Sequence, residues 1–165
     1  MSSRPRRSVT PMQYPAISSD PAYRQELYKP SAIEAVGIVI TARDQEDTVA
    51  RCILSLFAAN SYTGWRNSLW IVVVADACRD KTAKVARDAI GAFGEVLDVA
   101  VKSRGTARGI GVSAVLEHFH HKPRHVILLA SADADTCVRR EWIDIQLKRQ
   151  HAGAGSIALP NTLAA

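Results

Sequence analysis

The feature that most constrains this chain is an alternation of short apolar runs with longer amphipathic ones. Val36-Gly37-Ile38-Val39-Ile40-Thr41, Trp70–Ala75, Val96–Val101 and His125–Ala130 are short and rich in β-branched or apolar residues. Such runs predict buried strands. The segments between them carry apolar residues at helical spacing. Val49, Cys52, Ile53, Leu56 and Phe57 fall at i, i+3, i+4, i+7 and i+8 and define one helix face. Asp47 is the expected N-cap of that helix and Asn60 its stop. A second helix is expected from an Asp80 cap to about Ile90, with Gly91 and Gly94 flanking the break. A third presents Val112, Val115, Leu116 and Phe119 and breaks at Pro123. A fourth lies around Glu141–Gln150, and Ser156–Leu159 begins an expected fifth strand. Strand–helix alternation of this kind predicts an α/β fold: an open, doubly wound, mostly parallel sheet with helices on both faces.

In such sheets ligands sit beyond the carboxyl ends of the strands, at a switch point in strand order. Strands one and four are therefore expected to be neighbours, bringing the loop after Ile40 near Asp133. Carboxylates gather at these ends: Asp44 after strand one, Asp76 after strand two, Asp133 and Asp135 after strand four. On extended chain, two residues two apart point the same way. Two carboxylates that close repel, and a hard divalent cation held by oxygen ligands relieves the repulsion. The competing reading of Asp133-Ala134-Asp135 is a solvated turn. Asp76 suits hydrogen bonds from ribose hydroxyls or a base N–H. Its competing role, a cap at a helix start, is better filled by Asp80.

Arg104 and Arg108 bracket the turn Arg104-Gly105-Thr106-Ala107-Arg108-Gly109. Guanidinium forks match phosphate oxygens, and a helix N-terminus favours anions. The competing reading is a pair of solvated surface arginines. His118, His120, His121 and His125 cluster at the opposite edge from the carboxylates and read as a solvated run rather than a metal site. No G-x-G-x-x-G, Walker A lysine motif or G-x-S-x-G is present.

Composition sets the outer limits. The 165 residues, 47% hydrophobic, suit one domain with a real core. Residues 1–32 are rich in Pro, Ser and Arg without periodicity and are expected to form a disordered tail before a domain over 33–165. The tail holds five basic and two acidic residues, so it carries three of the net charge of +5. The expected folded part lacks a nucleic-acid footprint. No apolar run approaches the roughly 20 residues that span a bilayer. No apolar h-region follows Arg4, Arg6 and Arg7. Three cysteines, Cys52, Cys78 and Cys137, without a C-x-x-C, fit reduced thiols in a cytoplasmic protein. Cys52 falls on the apolar helix face.

Taken together these segments resemble the family-2 glycosyltransferases, which share the GT-A fold, a relative of Rossmann-like sheets. Val39-Ile40-Thr41-Ala42-Arg43-Asp44-Gln45-Glu46 resembles the family's opening strand and its arginine, asparagine and acid loop, with Asp44 in place of the asparagine. Cys52-Ile53-Leu54-Ser55-Leu56 resembles its first helix. Val72 through Thr82 resembles the paired-aspartate strand end and the downstream Asp-x-Thr, with Ala75 at the first acid. Ala107-Arg108-Gly109-Ile110-Gly111 resembles the arginine-containing helix start, and Asp133-Ala134-Asp135 the D-x-D. The resemblance covers about residues 35 to 150. It implies a UDP-, GDP- or dTDP-sugar donor bound through Thr41, Arg43, Asp44, Asp76, Arg104, Arg108 and Asp133, with Asp76 facing the nucleoside. It also implies Mn²⁺ or Mg²⁺ on Asp133 and Asp135, and a glycan, lipid or small-molecule acceptor.

Family members that invert the anomeric carbon place a general-base carboxylate well after the D-x-D. Here Glu141 and Asp144 are the acids that follow Asp135, and both fall in the next predicted helix. The catalytic base is therefore unassigned, and the domain is expected to be incomplete at its C-terminal end, as in a truncated member. A non-catalytic nucleotide-sugar-binding module is the alternative. A nucleotidyltransferase ranks behind both, because the loop after strand one has no glycine.

Overall fold

The computed structural model of the chain describes residues 33–63 and 68–151. The expected tail over 1–32 and the expected strand Ser156–Leu159 lie outside them. The element order is β1 (Ala35–Ala42), α1 (Val49–Tyr62), β2 (Ser68–Asp76), α2 (Thr82–Ile90), β3 (Gly94–Val99), α3 (Arg104–His118), β4 (Ile127–Asp133) and α4 (Trp142–His151). The four strands form one parallel sheet in the order β3-β2-β1-β4. The expected neighbouring of strands one and four is thus observed.

Two hydrophobic clusters follow from strand alternation. Val36, Ile38 and Ile40 of β1, Ile71 and Val73 of β2, and Leu128 and Ala130 of β4 face the buried sides of α1 and α4, with Ala86 and Ile90 of α2 in the same cluster. Ala35 and Val39, Val72 and Val74, and Ile127 face the other way, onto Ala107, Val115 and Phe119. Among the described residues, α3 is the helix that covers that second face. The handedness rule explains the division. The chain steps outward from β1 to β3 over one face, then reverses direction to reach β4, so a right-handed crossover must use the opposite face.

Two glycines let α3 lie close to the sheet. A Cβ on Gly37 of β1 would come 2.1 Å from Val115 Cγ1, and a Cβ on Gly111 of α3 would come 2.3 Å from Val39 Cγ1. Real side chains do not approach so closely, so each glycine clears space for a valine on the other element. This contact fixes the axis of α3, and hence where its N-terminal arginines stand.

The boundaries differ from the sequence reading where local bonds compete with apolar pattern. β3 runs Gly94–Val99 rather than Val96–Val101, pairing from Ile71↔Gly94 to Asp76↔Val99. Lys102 then takes a left-handed φ of 52°. β4 begins at Ile127 and continues to Asp133, after a 3-10 turn over Arg124–Val126. The N-cap position of α1 is Thr48 rather than Asp47, and it makes no side-chain cap bond. The Thr48 hydroxyl instead donates to Gln45 Oε1 at 2.7 Å. Asn60 lies inside α1, which ends at Tyr62. Lys81 occupies the N-cap position of α2, although the Asp80 carboxylate still accepts from the Thr82 N–H at 2.9 Å. Among the described residues, no helix is long and apolar enough to cross a membrane.

Candidate functional site

The strand order reverses between β1 and β4, and a cavity of about 150 Å³ opens there at the carboxyl ends. Strand parity determines which side chains enter it. Thr41 shares the parity of Ala35 and Val39, Asp76 that of Val72 and Val74, and Asp133 that of Ile127, so all three project on the α3 side. Thr41 and Asp133 are register partners across the β1–β4 pair. The cavity is lined by Thr41, Ala42, Arg43 and Gln45 from the end of β1, and by Asp76 from β2. Arg104 and Ala107 come from α3, and Asp133, Ala134 and Asp135 from β4 and its turn. Six of the eight site residues expected from sequence therefore line one crevice, and Arg108 reaches its edge.

The acid pair is not on extended chain as expected. β4 stops at Asp133, and the backbone turns, with the Thr136 N–H donating to the Asp133 carbonyl at 2.9 Å. The turn is held against β1 by the Ala134 N–H, which donates to the Thr41 carbonyl at 3.3 Å. Asp133 is half-buried and Asp135 exposed. The Thr41 hydroxyl donates to Asp133 Oδ1 at 3.4 Å. Two guanidiniums face the same carboxylate, Arg104 at 3.6 Å and Arg108 at 3.9 Å. Both arginines sit in the first two turns of α3, whose N-cap Ser103 accepts from the Thr106 N–H at 3.3 Å. Arg108 Nε is buried with no hydrogen-bond partner. On its β4 and α3 sides the crevice thus sets Asp133 and Asp135 beside Arg104, Arg108 and a helix N-terminus, an arrangement suited to a charged, phosphorylated ligand.

Asp76 has a different environment. It is 4% exposed. Its Oδ1 accepts from the Lys102 N–H at 2.7 Å, and its Oδ2 from the Ser103 N–H at 3.0 Å and from Arg43 Nη2 at 2.5 Å. Arg43 Nε also donates to the Asp76 carbonyl at 2.9 Å. Burial works against the charged form. The Lys102 amide, the Arg43 guanidinium and the Ser103 amide outweigh it and hold the carboxyl below its usual value.

Asp44 does not line the crevice. Its φ is 50°, and its Oδ1 accepts from the Arg79 N–H at 2.7 Å. It belongs to a seam between the loops after β1 and β2. There Glu46 Oε2 accepts from the Lys81 N–H at 2.7 Å, Asp80 Oδ2 from the Glu46 N–H at 3.0 Å, and Thr82 Oγ1 from the Gln45 N–H at 2.7 Å. Asp44, Cys78 and Asp80 bring one ligand atom each within 4.8 Å of one another. That set suits a structural seam better than a hard cation. Its carboxylates already receive backbone amides, and a thiol is a soft ligand.

The crevice acids fit a hard cation better. Asp133 and Asp135 offer only oxygen, on a wall with room for a ligand to supply further oxygens. The cysteines are free thiols. Cys52 is buried as expected, its Sγ 3.5 Å from the Asp133 carbonyl. Burial first, then the nearby Cys137, Asp135 and Asp133, push its thiol up to about 12, so it is a packing residue rather than a nucleophile. The histidine run lies at the far edge, where His118 stacks on Trp70 with ring centroids 3.7 Å apart.

Sequence reasoning missed Gln45, Ala107 and the backbone amides of Lys102 and Ser103. Gln45 was visible only as a neighbour of Asp44, and backbone donors leave no side-chain signature.

The sequence model of "Glycosyl transferase family 2" matches residues 37–164. A search of curated proteins returns no match. Eight chains of solved structures match, among them the crystal structure of S. aureus TarS 1-349. That similarity has a TM-score of 0.50 at 14% identity and covers 67% of this chain but 30% of the TarS chain. At that identity the likeness concerns the fold, and the fold is the expected one: a parallel α/β sheet with the crevice at its switch point.

Proposed function

The chain belongs to glycosyl transferase family 2, and from that membership we propose that the β1–β4 crevice binds a nucleotide-sugar donor for glycosyl transfer to an acceptor hydroxyl. The observation that carries this reading is the convergence of Thr41, Arg43, Arg104, Asp133 and Asp135, from separate elements, on one cavity at the switch point. In glycosyl transfer the acceptor oxygen bonds to the anomeric carbon while the bond from that carbon to the diphosphate breaks. Negative charge then grows on the departing phosphate. Arg104, Arg108 and the start of α3 would meet that charge with donors fixed in advance. A divalent cation, Mn²⁺ or Mg²⁺, held by Asp133 and Asp135 would neutralise the same oxygens when bound. Residues 33–165 constitute the donor-binding unit in this reading, and the free thiols fit a cytoplasmic location.

One observation favours a second reading, in which the chain binds the donor without transferring sugar. Glu141 pairs with Arg140 at 2.9 Å and Asp144 with Lys148 at 2.8 Å, and neither lines the crevice. Among the described residues the crevice acids are Asp76, Asp133 and Asp135, of which the first is fully engaged and the other two face the proposed diphosphate. A general base must reach the acceptor hydroxyl. Transfer assays with the 165-residue chain separate the two readings.

Binding itself is tested by thermal melting with UDP or GDP plus Mn²⁺. A ligand at about a hundredfold excess over its Kd stabilises the folded state by roughly 2.7 kcal/mol, so the melting temperature should rise and the rise should vanish with EDTA. A folded chain with no metal-dependent shift for any nucleoside diphosphate would rule out the donor site.

A further inference from the structure

We propose that Asp76 is a positioning residue, holding the start of α3 and its two arginines over the crevice rather than contacting the donor. The inference deepens the donor-site reading and rests on it for its ligand arm. Three segments meet on this one carboxylate. Arg43 comes from the loop after β1, Asp76 itself ends β2, and Lys102 and Ser103 lie between β3 and α3. Both oxygens are taken by protein donors at 2.5 to 3.0 Å, and the residue is 4% exposed. A ligand group approaching Asp76 would have to displace a bond the fold already makes.

The donors it receives are informative. Lys102 and Ser103 are consecutive, Ser103 is the N-cap of α3, and Arg104 is the first helical residue. Lys102 stands at φ 52°, a conformation that L side chains rarely adopt. Its N–H reaches Asp76 Oδ1 in that conformation, so the Asp76 bond offsets the unfavourable backbone. Two adjacent amides gripped by one buried carboxylate fix the direction in which the chain leaves β3. That direction, together with the Gly37 and Gly111 contacts, determines where Arg104 and Arg108 point. Arg43 orients the carboxylate by gripping both the side chain and the carbonyl of Asp76.

The test compares inorganic pyrophosphate with UDP, each with Mn²⁺, on the native chain and on Asp76→Asn. A residue that contacts the nucleoside affects UDP and leaves pyrophosphate alone. A residue that positions the arginines affects both equally, and the expected weakening is about tenfold for each, the size of a lost charged hydrogen bond. The loss should be smaller in a Lys102→Gly background, because glycine adopts the left-handed conformation without help. A ligand-free measurement keeps the proposal separate from the donor-site reading. In amide exchange on the native chain, the Lys102 and Ser103 amides should be protected despite lying in a loop. In Asp76→Asn, exchange over residues 102–107 should rise while α1 is unchanged. A native chain that binds neither probe defeats the donor-site reading alone. Unprotected Lys102 and Ser103 amides, or an Asp76→Asn chain that loses UDP but keeps pyrophosphate, would overturn the positioning role.

Discussion

The β1–β4 crevice and the seam between the loops after β1 and β2 are built from the same material, strand-end loops rich in aspartate and glutamate. They behave in opposite ways. In the seam, Asp44, Glu46 and Asp80 are taken up by the amides of Arg79, Lys81, Thr82 and Glu46. Among the described residues, no backbone amide of a neighbouring loop donates to the Asp133 or Asp135 carboxylate in the crevice, and Asp133 faces arginines at 3.6 and 3.9 Å. The difference lies in what stands opposite. β1 and β2 are sequential neighbours whose loops run side by side and can exchange hydrogen bonds. β4 joins β1 from the other side after a crossover, so its loop meets a side-chain-lined gap instead of another loop. A strand-end acid is available to a ligand only where the topology leaves it without a neighbouring loop.

Four substitutions probe that contrast. The largest effect is expected at Asp135, which is exposed and lines the crevice. Asp135→Asn should remove the roughly 2.7 kcal/mol of ligand stabilisation seen at a hundredfold excess of nucleoside diphosphate with Mn²⁺. The ligand-free melting temperature should stay nearly unchanged, as for most surface substitutions. Asp44→Asn, in the seam, should leave the ligand shift in place; its loss would erase the distinction between the two regions.

Asp80→Ala should give the converse result. It strips the acceptor from the Thr82 N–H and hydroxyl and from the Glu46 N–H, and should cost about 2 kcal/mol in chemical denaturation while the ligand shift persists. The acid side of the stability profile carries the same information. Burial raises the Asp80 pKa, but the Thr82 and Glu46 bonds outweigh it and the net shift is downward. The folded state therefore binds fewer protons than the unfolded state in this window. The stabilisation is fully present above the ordinary carboxyl value of about 4 and is lost as pH falls through the lower folded value. Asp80→Ala should flatten that acid limb; an unaltered limb would show that the seam bonds contribute little.

The smallest effect is expected at Ala77, between the two regions, where φ is 55°. Glycine removes the left-handed penalty, so Ala77→Gly should stabilise the chain by up to about 1 kcal/mol. For a domain of this size that corresponds to a rise of roughly 2–4 °C in melting temperature. A fall would mean that neighbouring contacts, rather than the backbone, determine the conformation there.

Much of the fold was legible in sequence because apolar pattern and parity are local. Four short apolar runs separated by 3.6-residue periodicity pointed to a parallel sheet, and the acids at strand ends, through the switch-point argument, pointed to β1 beside β4. Boundaries moved where a bond that pattern does not record prevailed. Examples are Thr48 bonded to Gln45 in place of an Asp47 cap, and a turn after Asp133 in place of two extended acids.

The sequence by itself determined which residues stand at the carboxyl ends of the strands, because alternation dictates the order of elements and right-handed crossovers dictate their faces. Only the tertiary structure decided which of those residues remain open to a ligand. Asp44, Asp76 and Asp133 are all aspartates at or just after a strand end, and nothing local distinguishes them. Asp44 receives a backbone amide from the next loop and Asp76 receives two amides and a guanidinium, whereas Asp133 faces Thr41 and two arginine side chains across a gap. Asp76 and the Lys102 amide are 26 residues apart along the chain and Thr41 and Asp133 are 92 apart, and folding alone brings such partners together.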